Sequence, residues 1–203
     1  MTISLYKDDI PADIDWGEAV AIDTETMGLN NQRDRLCVVQ LSSGDGDAIL
    51  VQIAADPAPA PNLVALLANP DIVKLFHFGR FDMAVLALTF GTMPAPVYCT
   101  KIASKLARTY TDRHGLKDLC RELLGVDLSK QQQSSDWGRE DLSDSQKSYA
   151  ASDVLYLHKL RDRLDAMLAR EGRQDLLTRS LDFLPTRVDL DLRGWGDMDI
   201  FHH

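Results

Sequence analysis

Apolar, β-branched runs fill the first third of the chain and helical patterns fill most of the rest, a division that limits the fold more than any other feature. Ala19–Asp23 (AVAID), Leu36–Leu41 (LCVVQL) and Ala48–Ile53 (AILVQI) have the length and residue types of strands. The SSGDGD segment joining the last two has turn composition, so an antiparallel meander is predicted. Asp56–Pro61 (DPAPAP) is a stiff loop, followed by a short helix at Asn62–Ala68, an Asn69-Pro70 break and a strand at Ile72–His77. Beyond Gly79, helices are expected at Phe81–Phe90, Lys101–Tyr110 and Gly115–Leu124, and polar Ser129–Arg139 reads as a surface loop. Ser143 is placed to cap a long helix reaching about Arg170, with Gln146 completing a capping box. A last helix from about Arg173 is not expected to pass Pro185 undisturbed. Strands first and helices after predict an α/β (α+β) layer fold rather than a bundle.

The 203 residues contain no internal repeat and no linker, and they are read as one domain spanning 1–203. A chain of this length buries well over half of its unfolded surface and needs no disulfide to hold its core. Its three cysteines, Cys37, Cys99 and Cys120, have no CxxC spacing, which argues against a zinc ribbon and fits a reducing compartment. No basic-then-apolar leader opens the sequence, and no apolar run approaches the roughly 18 residues of a membrane span, so a cytoplasmic location with no membrane partner is expected. The charge is 22 − 31 = −9, with a pI near 4.9. That balance excludes a long electrostatic track for nucleic acid: any such substrate should be short or held at one end.

Several acids stand where a core should not have them. Asp23-Thr24-Glu25 closes an apolar strand and projects two carboxylates from one face. A cation would explain the pair, although for an isolated DTE an Asx turn beside a solvated Glu is the simpler account. Asp82 falls in the first turn of the helix after Ile72–His77, where an acid also complements the helix dipole. Tyr149 and Asp153 lie four residues apart on one face of a helix whose neighbours Ala150, Ala151, Val154 and Leu155 are apolar. Together these positions supply four oxygen donors from three elements, a set suited to Mg²⁺ or Mn²⁺ and too hard for zinc.

The order DTET (Asp23–Thr26), HFGRFD (His77–Asp82) and YAASD (Tyr149–Asp153) resembles the three motifs of the DEDDy 3′–5′ exonucleases. The stretch Gln133–Leu157 is similar to the corresponding region of ribonuclease D, and the likeness spans about residues 19–165. The short chain and its Gly194–Gly196 (Gly-Trp-Gly) tail resemble the bacterial nano-RNase C type. One departure is Phe78-Gly79, where the second motif often has Asn or Ser after the His.

The resemblance implies a ribonuclease H-like exonuclease fold with a mixed central sheet, and an enzyme that hydrolyses short oligoribonucleotides, dinucleotides among them, to nucleoside 5′-monophosphates. It implies two Mg²⁺ or Mn²⁺ ions held by Asp23, Glu25, Asp82 and Asp153, with Tyr149 orienting the attacking water. Thr24, Thr26, Met27 and Leu29 are expected at the terminal-base pocket, and His77 and Phe81 at the same cleft, with Phe81 equally placed to be core. Lys101, Lys105 and Arg108 form the best basic stripe for a substrate phosphate, unless they are only a solvated face. Trp137 is expected to pack on the helix beneath it or on a neighbouring subunit. Trp195 and Phe201, with the segment 172–203, are expected to dock on another protomer of a homo-oligomer, by resemblance an octameric ring. Two other readings stay open: a DNA-directed repair-type exonuclease, and a non-catalytic protein that binds nucleic-acid ends.

Overall fold

The computed structural model describes residues 2–129, 131, 132 and 134–202. Strands β1 (Ile3–Lys7), β2 (Ala19–Thr26), β3 (Leu36–Ser42), β4 (Ala48–Gln52), β5 (Val73–Phe76) and β6 (Val97–Cys99) form a sheet in the order β1-β4-β3-β2-β5-β6. The predicted meander is present, because β2 pairs β3 and β3 pairs β4 antiparallel. Parallel pairs β1–β4, β2–β5 and β5–β6 make the sheet mixed. Helices α1 (Pro61–Ala68), α2 (Arg80–Phe90), α3 (Thr100–Ala107), α4 (Leu116–Leu119), α5 (Asp144–Val154), α6 (Leu157–Glu171) and α7 (Gln174–Leu190) flank it. This is the architecture expected of a ribonuclease H-like exonuclease. Strands β1 and β6 escaped the sequence reading because five and three residues are too few for a periodic signal.

Strand β2 divides the molecule. Its side chains alternate between two layers, as a pleated strand requires. Val20 and Ile22 pack with Leu63, Leu67, Met83, Leu86 and Val188 of α1, α2 and α7. Ala19 and Ala21 pack instead with Ala103, Ala151, Val154, Leu160 and Leu164 of α3, α5 and α6. A fully buried lysine anchors the neighbouring strand: the Lys74 ammonium donates to the carbonyls of Asn69 and Ile72, each at 2.7 Å, and of Ala95 at 2.5 Å. Three carbonyls satisfy the charge that burial would otherwise leave exposed to a low dielectric.

Four expectations need correction. Strand β2 runs on through Thr26 instead of closing at Asp23. The long helix after Ser143 is two, interrupted at Leu155 and Tyr156; the buried stripe Ala150, Val154, Leu157, Leu160 continues across the break with no Pro or Gly to mark it. Helix α7 crosses Pro185 and reaches Leu190, since Leu184 and Val188 on either side are buried against the core and hold the turn that the missing amide weakens. Helix α3 ends at Ala107, short of Tyr110, because Arg108 leaves helical geometry (φ −114°, ψ 61°).

The Ser129–Arg139 stretch forms no regular element among the described residues; Lys130 and Gln133 lie outside them. Trp137 within it is 3% exposed and packs with Val38, Leu50 and Ala150, so it covers this chain's own sheet and α5. Gln146 ties the same stretch to α5 by donating from Nε2 to the Asp136 carbonyl at 3.0 Å. The capping box is also in place: the Gln146 amide donates to Ser143 Oγ at 3.3 Å, and the Ser143 amide to Gln146 Oε1 at 3.0 Å. Ser143→Ala should cost about 1 kcal/mol and lower the melting temperature by about 2–4 °C, measurable by thermal denaturation.

Candidate active site

Strand alternation sorts the DTE residues by layer. Asp23 and Glu25 follow Ala19 and Ala21 onto the α5 side of the sheet, whereas Thr24 follows Val20 and Ile22 onto the α2 side. Helix α5 brings Tyr149 and Asp153, one turn apart, against the first pair. Carboxylate oxygens of Asp23, Glu25 and Asp153 lie within 4.8 Å of one another. On the other side Thr24 Oγ1 donates to Asp82 Oδ1 at 2.6 Å, fixing the acid in the first turn of α2. Asp23 and Glu25 sit in strand pairs opposite Gln40 and Val38, which removes the Asx-turn alternative. The register shifts between Glu25 and Thr26, a bulge that ends the regular ladder where the cleft begins.

Four acids this close repel one another, and burial amplifies the repulsion. Asp23 is pushed well above the usual carboxylate range by burial and then by Asp82, Asp153 and Glu25. Burial, with Asp153 and Asp82, raises Glu25 to about 9. Asp82 rises to about 7 through burial, held back by the Thr24 hydroxyl. Asp153 also rises to about 7 through burial, held back by hydrogen bonding from Tyr149. Among the described residues none of the four is in an ion pair. Crowded, unpaired, oxygen-only donors fit hard divalent cations, which would supply the missing positive charge.

A cavity of about 370 Å³ holds these acids together with Thr24, Thr26, Leu29, His77, Phe81 and Lys101. Phe81 serves both readings, since it also packs against the core. His77 is neutral at physiological pH: burial, with Lys101 nearby, lowers it to about 3, and its Nδ1 stands 2.9 Å from Thr100 Oγ1. Met27 and Lys105 are exposed and do not line it. Arg108 departs from the expected basic stripe. It is fully buried, paired with Glu122, and donates to the Arg113 carbonyl at 2.8 Å, because the chain has already left the helix there.

Several lining or supporting residues were not assigned to the site from sequence, Gln40 and Phe78 among them. Gln40 faces Asp23 across the ladder, its Nε2 3.5 Å from Asp23 Oδ2; the only sequence signal was one amide inside the apolar run LCVVQL. Phe78 lines the cavity from the turn between β5 and α2.

Compared with known proteins, residues 8–169 match the family described as 3′–5′ exonuclease. The chain belongs to the DEDDy 3′–5′ exonuclease family. Ribonuclease D of Acidiphilium cryptum is 38% identical over 77% of this chain and 39% of its own length. The chain thus spans less than half the length of the curated ribonuclease D relatives it matches. Solved structures match it end to end, and two of them are of one bacterial protein. Brucella melitensis NrnC with bound Mg²⁺ is 59% identical, with 100% of both chains covered and a TM-score of 0.96. Brucella melitensis NrnC bound to pGG is 60% identical, with 100% of this chain and 99% of that chain covered and a TM-score of 0.97.

The acid cluster of this family member gives stability a pH dependence of defined sign. Without metal, folded Glu25 keeps its proton up to about 9, against 4.5 when unfolded, so the folded state binds more protons in between and stability falls as pH rises through that window. Metal-free protein should therefore melt several degrees lower at pH 8.5 than at pH 5.5, and Mg²⁺ should restore most of the loss at the higher pH only. Thermal melts with EDTA or Mg²⁺ check this, and Glu25→Gln should flatten the metal-free slope.

Proposed function

We propose that this chain is a 3′–5′ exoribonuclease that hydrolyses short oligoribonucleotides, dinucleotides among them, to nucleoside 5′-monophosphates. The observation that carries the reading is the end-to-end likeness to NrnC bound to pGG, joined to the Asp23–Glu25–Asp153 cluster within 4.8 Å. Asp23, Glu25, Asp82 and Asp153 would hold two Mg²⁺ or Mn²⁺ ions. Such ions, when bound, supply a water of lowered pKa and neutralise charge on the phosphoryl group.

The chain's own residues do the positioning. Thr24 holds Asp82 in place, and Gln40 fixes one oxygen of Asp23. Tyr149 is raised above its ordinary value by burial and then by Asp153, Glu25 and Asp23, so its hydroxyl stays protonated and orients the attacking water without deprotonating it. Thr26 and Leu29 bound the pocket for the terminal base, while His77, Phe81 and Lys101 complete the substrate side. The acidic balance of −9 suits capture of a short 3′ end and opposes a long track.

Residues 1–203 act in this reading as one exonuclease domain, with 172–203 as the contact to other protomers of an octameric ring. Trp195, Met198, Ile200 and Phe201 are exposed on that tail, more apolar surface than a solvated terminus needs. Arg80 pairs with Asp191 and donates to the Gly196 carbonyl at 3.0 Å, which holds the tail against α2. A cytoplasmic location agrees with three free, buried cysteines and, among the described residues, no helix long and apolar enough to cross a membrane.

Two-, five- and twenty-nucleotide RNA and DNA, incubated with Mg²⁺, Mn²⁺ or EDTA, test the activity. Preferred loss of the RNA dimer is expected. Equal degradation of long DNA would favour the repair-type reading, and binding without cleavage the non-catalytic one. Tyr149→Phe should lower kcat on the order of 10²-fold while Mg²⁺ affinity, read by titration calorimetry, stays within about twofold; equal loss of both removes the water-orienting role. Asp153→Asn should lose both.

A further inference from the structure

The second motif contains a residue that the catalytic reading does not use. Phe78 and Asp8 are the non-glycine residues at positive φ among the described residues, at 66° and 64°. A left-handed backbone strains any side-chain-bearing residue, and glycine is the ordinary choice. A glycine stands next door, yet Gly79 takes a right-handed conformation (φ −52°, ψ −15°). It is needed there for a different reason: a Cβ at Gly79 would come 2.7 Å from Cβ of Phe76. The turn from β5 to α2 thus places an aromatic residue where the backbone favours none.

Core packing does not explain the choice. Phe78 is 48% exposed, whereas Phe76 two residues earlier is fully buried. The Phe78 ring lines the cavity that holds the acids, and the Lys101 ammonium stands 4.0 Å from its centroid. A cation over one face fixes the ring's orientation and occupies that face. The ring is therefore carried on a strained backbone, half in solvent, braced on one side and directed at the reaction cleft. Strain of this kind persists where function requires it.

We propose that Phe78, braced by Lys101, is a nucleobase-stacking residue that takes a base of the bound oligoribonucleotide on its open ring face. The inference rests on the exoribonuclease reading and adds to it a recognition element at a position that departs from the family's second motif. Stacking on an aromatic face accepts every base, which suits an enzyme that must clear short RNA of any sequence. Purines, with the larger ring area, should gain more from it than pyrimidines.

The test uses the full chain with Phe78→Gly, Phe78→Leu and Phe78→Trp, measuring kcat and KM on pApA and pUpU, thermal melts, and calorimetric binding of pApA in Ca²⁺. Phe78→Gly should melt at or above the wild-type temperature, since the backbone strain is relieved. Its KM for pApA should rise roughly 5- to 150-fold, the span of one base–aromatic stack, with a smaller rise for pUpU and kcat within about threefold. Phe78→Leu should share the KM defect, and Phe78→Trp should keep wild-type KM. Unchanged KM in the Gly and Leu variants, or a lower melting temperature with kcat and KM falling together in Phe78→Gly, overturns the stacking role. Wild-type protein that cleaves no RNA would refute the exoribonuclease reading separately. In that case pApA binding that Phe78→Gly loses still supports the stack, and binding that the variant keeps, or that wild type lacks, overturns it.

Discussion

Like charge gathered in a low-dielectric cleft is the constraint on which this structure turns. Three carboxylates within 4.8 Å, and a fourth from α2, would separate or protonate if their backbones were free to move. They stay together because each is fixed to an element with its own reason to be buried. Asp23 and Glu25 ride the central strand, whose Val20 and Ile22 are fully buried. Asp153 rides α5 beside buried Ala150, Ala151 and Val154, and Asp82 rides α2 beside Met83 and Leu86. Apolar packing in three separate places holds an electrostatic arrangement that none of the acids favours by itself, and divalent cations relieve it.

The supporting contacts divide along the same line. Thr24, pointing to the opposite layer from its two acidic neighbours, reaches Asp82 and so couples the two sides of the sheet through one hydroxyl. Lys74, one strand over, ties the segment entering β5, through the carbonyls of Asn69 and Ile72, to the loop before β6, through that of Ala95, and thereby fixes the strand that delivers His77 and α2. On the α5 side, Trp137 lies 6.0 Å from Tyr149, ring centre to ring centre, and seals that helix onto β3 and β4. The polar stretch around Trp137 is thus part of the wall behind the site, although its composition is that of a loop.

How much was legible beforehand depends on the range of the interaction. The meander, the cap at Ser143 and the helical face shared by Tyr149 and Asp153 are local matters, settled within a few residues by periodicity, turn chemistry and side-chain hydrogen bonding. The break at Leu155–Tyr156 and the passage of α7 through Pro185 were not legible, because both are decided by packing against distant elements. Arg108 misled for a similar reason: its helical spacing from Lys101 and Lys105 held only if α3 continued, and the chain turned it inward to Glu122 instead.

The sequence by itself determined which acids stand on apolar elements and in what order they come, and hence that a hard cation had to be considered and to which family the motifs belonged. Tertiary structure alone decided that β2 passes between two cores, so that one strand sends Asp23 and Glu25 to α5 and Thr24 to Asp82. It also decided that Phe78 holds the strained turn and enters the cleft while its neighbour Gly79 yields to Phe76. The physical reason is that alternation and spacing are properties of the chain, whereas which face meets which partner is set only when the layers close on one another.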